Sequence, residues 1–196
     1  MGFNHSGGLS IGLFGGSFNP AHAGHLHVAE CGLKCLRLDQ IWWMVSPGNP
    51  LKSETTPYEE RVASVKALGL PPHMRISHME RDFGTRYTVD TVRLARKRWP
   101  KHRFVFLMGA DNLAQMPKWK DWQLIFATLP IAVIARPGAN VTDSIKARLS
   151  LPARRYAKAR LPEYAAHTLA AQTAPAWTYL TAPLNPLSST ALRKAG

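Results

Sequence analysis

The sequence predicts an α/β protein built on a single doubly wound, mostly parallel sheet with helices on both faces. Three observations predict it. Short apolar runs alternate with segments of helical periodicity, the runs are continuously apolar, and two of them end in polar turns that carry glycine. A strand exposed on one face alternates apolar with polar residues; a strand covered on both faces has no need to. The continuous runs therefore imply a parallel sheet between two helical layers. Such sheets bind ligands at the carboxyl ends of their strands, where the winding reverses.

Residues 1–9 read as a flexible tail and residues 10–196 as one domain. Residues 10–14 form the first apolar strand and feed a tight turn at Gly15-Gly16. From 24 to 37, Leu26, Ala29, Leu33 and Leu36 recur at helical spacing. Residues 41–45 are a second strand, closed by Ser46-Pro47-Gly48-Asn49-Pro50. A helix is expected over 58–68, with Thr56 as its cap and Pro57 at its first position. Residues 74–77 suit a short strand, 88–99 a helix ended by Pro100, and 103–108 a strand closed by Gly109. A short helix over 121–127 and a strand over 130–135 follow. The stretch 145–160 carries six Lys and Arg residues and is broken by Pro152 and then Pro162, which reads as a solvated surface segment. A last strand over 177–181 and a short helix over 188–194 complete the chain, giving a Rossmann-like order.

Composition narrows the partners. A chain of 196 residues suits one domain, and 45% hydrophobic against 19% charged residues suits an ordered globular one. The formal net charge of +13 attracts polyanions, either nucleic acid or nucleotides with clustered phosphates. Cys31 and Cys35 lie one helical turn apart, where a disulfide is strained, and no second pair completes a zinc site. They read as reduced, half-buried thiols in a reducing compartment. No apolar run approaches the roughly 20 residues of a membrane span, and the start lacks a signal-peptide core. Gly2 and Ser6 match the loose myristoylation pattern, but an ordinary Gly/Ser tail explains them as well. The expected location is the cytoplasm.

Two constellations carry chemistry. The first is Gly15-Gly16-Ser17-Phe18-Asn19-Pro20-Ala21-His22-Ala23-Gly24-His25, between a strand and a helix. Two glycines let backbone approach a ligand, and a helix start offers N–H donors and partial positive charge. His22 and His25, three apart across that start, can present both imidazoles to one small volume. Such donors can hold a triphosphate and stabilise charge on departing pyrophosphate. The spacing of Gly15, Gly16 and Gly24 fits neither the dinucleotide fingerprint nor a P-loop. His27 reads as packed or solvent-facing, and no carboxylate or cysteine nearby supports a zinc site.

The second is Ser188-Ser189-Thr190-Ala191-Leu192-Arg193, three hydroxyls before a short helix with an arginine one turn on. Alone it is an ordinary cap. Beside the first constellation it is a second anion grip, because Arg193 offers a fixed fork of donors.

The first constellation resembles the His-x-Gly-His signature of the adenylyl- and cytidylyltransferase superfamily, in the form found in bacterial nicotinate-nucleotide adenylyltransferases. The second is similar to that family's Ser-Ser/Ala-Thr-x-Ile/Leu-Arg motif, although this chain stops at Gly196 where many members continue. The resemblance implies transfer of the adenylyl group of ATP to nicotinate mononucleotide. It implies His22, His25 and Arg193 as catalytic residues, and Gly15, Gly16, Phe18, Gly109, Asp111, Ser188, Ser189 and Thr190 as ATP contacts. For the acceptor it implies Ser17, Lys52, Tyr87, Thr88 and Trp119, the indole stacking on the pyridine ring. Trp122 reads as core. Residues 47–52 stand where the family has Pro-Pro-His-Lys, without its histidine, so Lys52 as a phosphate contact competes with an ordinary solvated lysine. The metal is Mg²⁺, held mainly by substrate phosphates, with no dedicated protein ligands expected.

Three alternatives remain at this point: a relative with another acceptor (nicotinamide mononucleotide or phosphopantetheine), a basic nucleic-acid-binding protein, and a catalytically silent nucleotide binder. No helix-turn-helix, zinc or RNA-recognition signature supports the second, and intact His22, His25 and Arg193 argue against the third. Oligomeric state has no signature in the sequence.

Overall fold

A computed structural model describes residues 8–48, 56–135 and 141–181. Strand β1 (Ser10–Gly16) lies in the interior of the sheet, and its first five residues are buried. After it come α1 (Ala23–Cys35), β2 (Gln40–Val45), α2 (Tyr58–Lys66), β3 (Met74–Ser77), a single turn α3 (Met79–Asp82) and α4 (Thr88–Arg98). The second half runs β4 (Arg103–Gly109), α5 (Ala110–Gln115), α6 (Trp122–Thr128), β5 (Ile131–Ile134), α7 (Val141–Arg148), α8 (Leu151–Arg155), β6 (Arg160–Leu161) and β7 (Trp177–Leu180).

Among the described residues seven strands form one sheet in the order β3-β2-β1-β4-β5-β7-β6, every adjacent pair parallel. The chain winds outward from β1 to β3 and then restarts beside β1 with β4. Phe14 of β1 therefore faces Trp43 on one side and Leu107 on the other. The winding reverses between β1 and β4, so the crevice sits above their carboxyl ends.

Alternate residues feed two cores. Ile11 and Leu13 join Trp42, Phe106, Val133 and Tyr179 on the face covered by α4 to α8. Phe14 joins Ile41, Trp43, Leu107 and Ile134 on the face covered by α1 and α2. Each fully buried side chain of this size contributes roughly 1.5–3 kcal/mol. Two glycines mark close packing within the sheet and between the sheet and α1. A Cβ on Gly12 would meet Ile41 Cδ1 at 2.6 Å and Leu107 Cδ1 at 2.8 Å, and one on Gly32 would meet Leu107 Cδ1 at 3.0 Å.

Several elements differ from the sequence expectation. Pro57 occupies the cap position of α2 and Thr56 does not cap it: the Thr56 carbonyl accepts a hydrogen bond from Arg61 Nε at 3.1 Å. The 145–160 stretch is not an irregular surface segment. It contains α7 and α8, with Ala147, Pro152 and Ala153 buried. Pro152 opens α8, where its missing N–H costs nothing, and Ser150 Oγ caps the turn. The basic side chains Lys146, Arg148, Arg154, Arg155, Lys158 and Arg160 are exposed, as expected. Of the two thiols, Cys31 is half-buried but Cys35 is exposed; both are free. No helix among the described residues is long and apolar enough to cross a membrane.

Candidate active site

Three strand ends meet at the crevice. Gly16 closes β1, its register partner Val45 closes β2, and Gly109 closes β4. Ser46 N–H donates to Gly16 O at 3.0 Å and ties the first two ends together.

After Gly16 the chain turns through Ser17 and Phe18 into α1. Phe18 adopts a left-handed backbone (φ 48), uncommon for a bulky residue. A Cβ on Gly16 would stand 3.0 Å from the Phe18 ring, so glycine here makes room for that ring. At Gly15 a Cβ would meet nothing nearer than 3.5 Å, so packing alone does not demand glycine there. The Phe18 ring is 2% exposed and stands edge-on to His25, centroids 5.1 Å apart. It thus supports the histidine, and its backbone is the part left to face a ligand.

His22 is the N-cap of α1 and His25 the third residue of the helix, and the two cap reciprocally. Gly24 N–H donates to His22 Nδ1 at 3.1 Å, and His22 N–H donates to His25 Nδ1 at 3.3 Å. The ring centroids are 3.9 Å apart. Because each Nδ1 accepts from backbone, the hydrogen-bond directions assign the proton of each neutral ring to Nε2. The pair thus sets two imidazoles side by side at a helix start, where backbone donors and partial positive charge favour an anion.

Gly109 is the N-cap of α5, and Asp111 sits half-buried in its first turn, above the strand next to β1. Trp119 is half-buried and edge-on to Phe106 of β4, centroids 6.3 Å apart. Tyr87 is the N-cap of α4 and Thr88 its first residue; Tyr87 is 36% exposed. Lys120 Nζ lies 4.5 Å from the Tyr87 ring centroid, which joins the α4 start to the Trp119 segment. The structure thus brings Tyr87 to the segment that carries Trp119, and places Gly15, Gly16, Ser17, Phe18, His22, His25, Gly109 and Asp111 at or just after the carboxyl ends of β1 and β4. Lys52, Ser188, Ser189, Thr190 and Arg193 lie outside the described residues. Trp122 is core, as expected, and His27 is half-buried with Nε2 at 3.5 Å from Cys31 Sγ.

Residues the sequence did not flag support this geometry. Arg61 and Ser64 of α2 bond the turns above β1 and β2. Glu80 sits beneath the α4 start: Thr85 N–H donates to its carbonyl at 2.9 Å, and Thr91, hydrogen-bonded to the Thr85 hydroxyl at 2.7 Å, donates to Tyr87 O at 3.3 Å. Burial pushes the Glu80 carboxyl up to about 7, against a smaller opposing pull from the Thr91 hydroxyl. Arg61 carried one faint signal, a charged residue one turn before the apolar Val65 on the inner face of a helix; Glu80 carried none. A cavity of about 310 Å³ lies apart from these residues, lined by Trp42, Arg75, Met79, Phe83 and Trp99 among others.

Residues 13–195 match the family described as cytidylyltransferase-like. The chain is 52% identical over 187 residues to a "Probable nicotinate-nucleotide adenylyltransferase" of Caulobacter sp. (strain K31), covering 94% of this chain and 97% of the relative. It is 47% identical over 190 residues to a protein of the same name from Ruegeria pomeroyi, covering 96% and 87%. Its fold matches the solved nicotinic acid mononucleotide adenylyltransferase of Plasmodium falciparum complexed with NaAD, with a TM-score of 0.67 at 16% identity over 95% of this chain and 83% of that one.

Proposed function

The chain belongs to the cytidylyltransferase-like family, and on that premise we propose that it is a nicotinate-nucleotide adenylyltransferase. It transfers the adenylyl group of ATP to nicotinate mononucleotide, giving nicotinate adenine dinucleotide and pyrophosphate for NAD biosynthesis. The single observation that carries the chemistry is the His22–His25 pair, two imidazoles held side by side at a helix start with both Nδ1 atoms tied to backbone.

An acceptor phosphate oxygen forms the new bond to the α-phosphorus of ATP while the bond from that phosphorus to the bridging oxygen breaks in line. The electron pair leaves with pyrophosphate. A phosphate monoester with its second pKa near 6 is largely a dianion at neutral pH, so the attack needs no general base. The protein's part is to hold two mutually repelling anions in register and to offset the charge that moves. His22 and His25 donate to phosphate oxygens from Nε2, and the α1 start adds its dipole. Arg193 and the Ser188–Thr190 hydroxyls complete this grip in the proposal, and Gly109 and Asp111 hold the adenosine side. Trp119 stacks on the pyridine ring, while Tyr87 and Thr88 meet its carboxylate at the start of α4.

The donors at the switch point are mostly imidazole and amide N–H, and no group of three or more His, Cys, Asp or Glu among the described residues could hold a metal. That donor set fits a Mg²⁺ carried mainly by substrate phosphates. Bound there, the ion neutralises phosphate charge. ATP and nicotinate mononucleotide are the proposed partners and the cytoplasm the proposed location.

The direct test mixes the protein with ATP, Mg²⁺ and one acceptor at a time and follows pyrophosphate. Release is expected with nicotinate mononucleotide. Release with phosphopantetheine alone would reassign the acceptor, and none with any acceptor would sink the reaction.

A further inference from the structure

Arg61 is 1% exposed, and its guanidinium faces backbone carbonyls from three separate segments. Nε donates to Thr56 O at 3.1 Å, ahead of α2. Nη1 donates to Ser17 O at 2.8 Å, in the turn after β1, and to Ser46 O at 2.7 Å, in the turn after β2. Nη2 donates to Pro47 O at 3.2 Å. Burying a cation carries a large desolvation cost, which good hydrogen bonds only offset. An apolar side chain would fill the same space more cheaply. What Arg61 adds is geometry: a rigid planar fork that fixes carbonyls in several directions at once, which a lysine's point charge cannot do.

Ser64, one turn along α2, works on the same turn. Its Oγ accepts from Ala21 N–H at 3.0 Å and lies 3.4 Å from Phe18 O and 2.7 Å from Arg61 O, its own proton going to one of these two carbonyls. The carbonyls on either side of Phe18 thus both face α2. Phe18 is the left-handed residue, a conformation that is costly for a bulky side chain and persists only where its surroundings over-determine it. Its ring in turn sets the edge of His25. A physical chain therefore runs from Arg61 through Ser17 and Phe18 to His25, and a second arm runs to the start of the Ser46–Gly48 turn.

We propose that Arg61, assisted by Ser64, is a positioning residue for the transfer: it holds the left-handed turn beneath His25 and sets its distance from the turn after β2. This rests on reading the switch point as the site of adenylyl transfer. Arg61 touches no reacting atom; it acts through where it places His25.

The test compares wild type with Arg61→Lys, Arg61→Ala and Ser64→Ala, recording thermal unfolding and initial rates on the same samples. Arg61→Lys is expected to stay folded and to lose kcat by roughly 10²-fold, the scale of an ångström-level misplacement. KM for ATP should change by less than about threefold. Ser64→Ala should shift kcat the same way by a smaller factor, about three- to tenfold. Added guanidinium ion should restore part of the kcat lost in Arg61→Ala. A folded Arg61→Lys with wild-type kcat overturns the proposal, as does a loss that only follows the folded fraction. If Arg61→Lys does not fold, unchanged kcat in Ser64→Ala overturns it. Wild type without pyrophosphate release defeats the assigned reaction and this inference together; active wild type with insensitive variants defeats this inference alone.

Discussion

At the scale of single residues, the histidines do two things at once. His22 and His25 use Nδ1 to satisfy backbone N–H groups that a helix start leaves open, which frees the helix of a separate cap and orients both rings. Loss of one transition-state donor should lower turnover of His25→Ala by roughly 10²–10³-fold. Near-wild-type kcat in that variant would remove His25 from the mechanism. Glu80 gives a second expectation, in stability. Its carboxyl titrates near 7 in the folded protein, against the ordinary 4.5, because burial disfavours the ionised form. Between those two values the folded state keeps a proton that the unfolded chain has lost. Stability therefore falls as pH rises from 4.5 to 7, by up to about 3 kcal/mol, and levels off above 7. Glu80→Gln cannot ionise, so its stability relative to wild type should improve by up to that amount between pH 4.5 and 8. Denaturant unfolding at the two pH values reads this, and a difference that does not vary with pH would show that the carboxyl is not held neutral.

At the scale of elements, close approach and short length decide most of what happens. Gly12 lets Ile41 of β2, Leu107 of β4 and Leu38 of the turn after α1 converge on β1, with three methyl groups within 2.9 Å of where a Cβ would stand. Gly12→Ala should cost about 1–3 kcal/mol by overpacking, since those side chains have a dense core behind them. Urea titration of the purified variant checks this; unchanged stability would mean the core yields there. Helix α2 shows that an element can serve a site without lining it. Its inner face carries Val62 and Val65 into the core and, at the same spacing, Arg61 and Ser64 to the turns above β1 and β2. Helix α8 shows the opposite lesson about proline, which broke the expected pattern at 152 yet starts a helix there.

At the scale of the whole molecule, the winding order turns distant segments into one site. The 22–25 and 109–111 stretches are more than eighty residues apart, and they become neighbours because β1 and β4 pair. The 87–88 stretch, proposed for the acceptor, reaches the 119–120 segment because α4 and α6 cover the same face of the sheet. A site arranged in this way around a carboxylate should strongly prefer nicotinate over nicotinamide mononucleotide, because an amide cannot accept at both positions. The expected ratio of kcat/KM is at least about 10², and up to 10⁴ if the donors are fully buried. Parallel rates with the two acceptors measure it, and equal rates would move recognition away from the ring substituent. The net charge of +13 fits the same task, since both substrates are anions.

The amino-acid order by itself determined the α/β class, the strand cores, the glycine turn and the pair of histidines at a helix start. These are local properties: continuous apolar runs, helical spacing, and donors counted along a few residues. Only the tertiary structure decided that Phe18 supports His25, that both Nδ1 atoms face backbone, and that Lys120 meets Tyr87. It alone revealed that a buried Arg61 binds carbonyls from three segments and that Glu80 lies half-buried below the start of α4. The physical reason is that these facts depend on which surfaces the crossovers bring together. Desolvation and hydrogen-bond direction are set by neighbours far away in the chain, and no window along the sequence contains both partners.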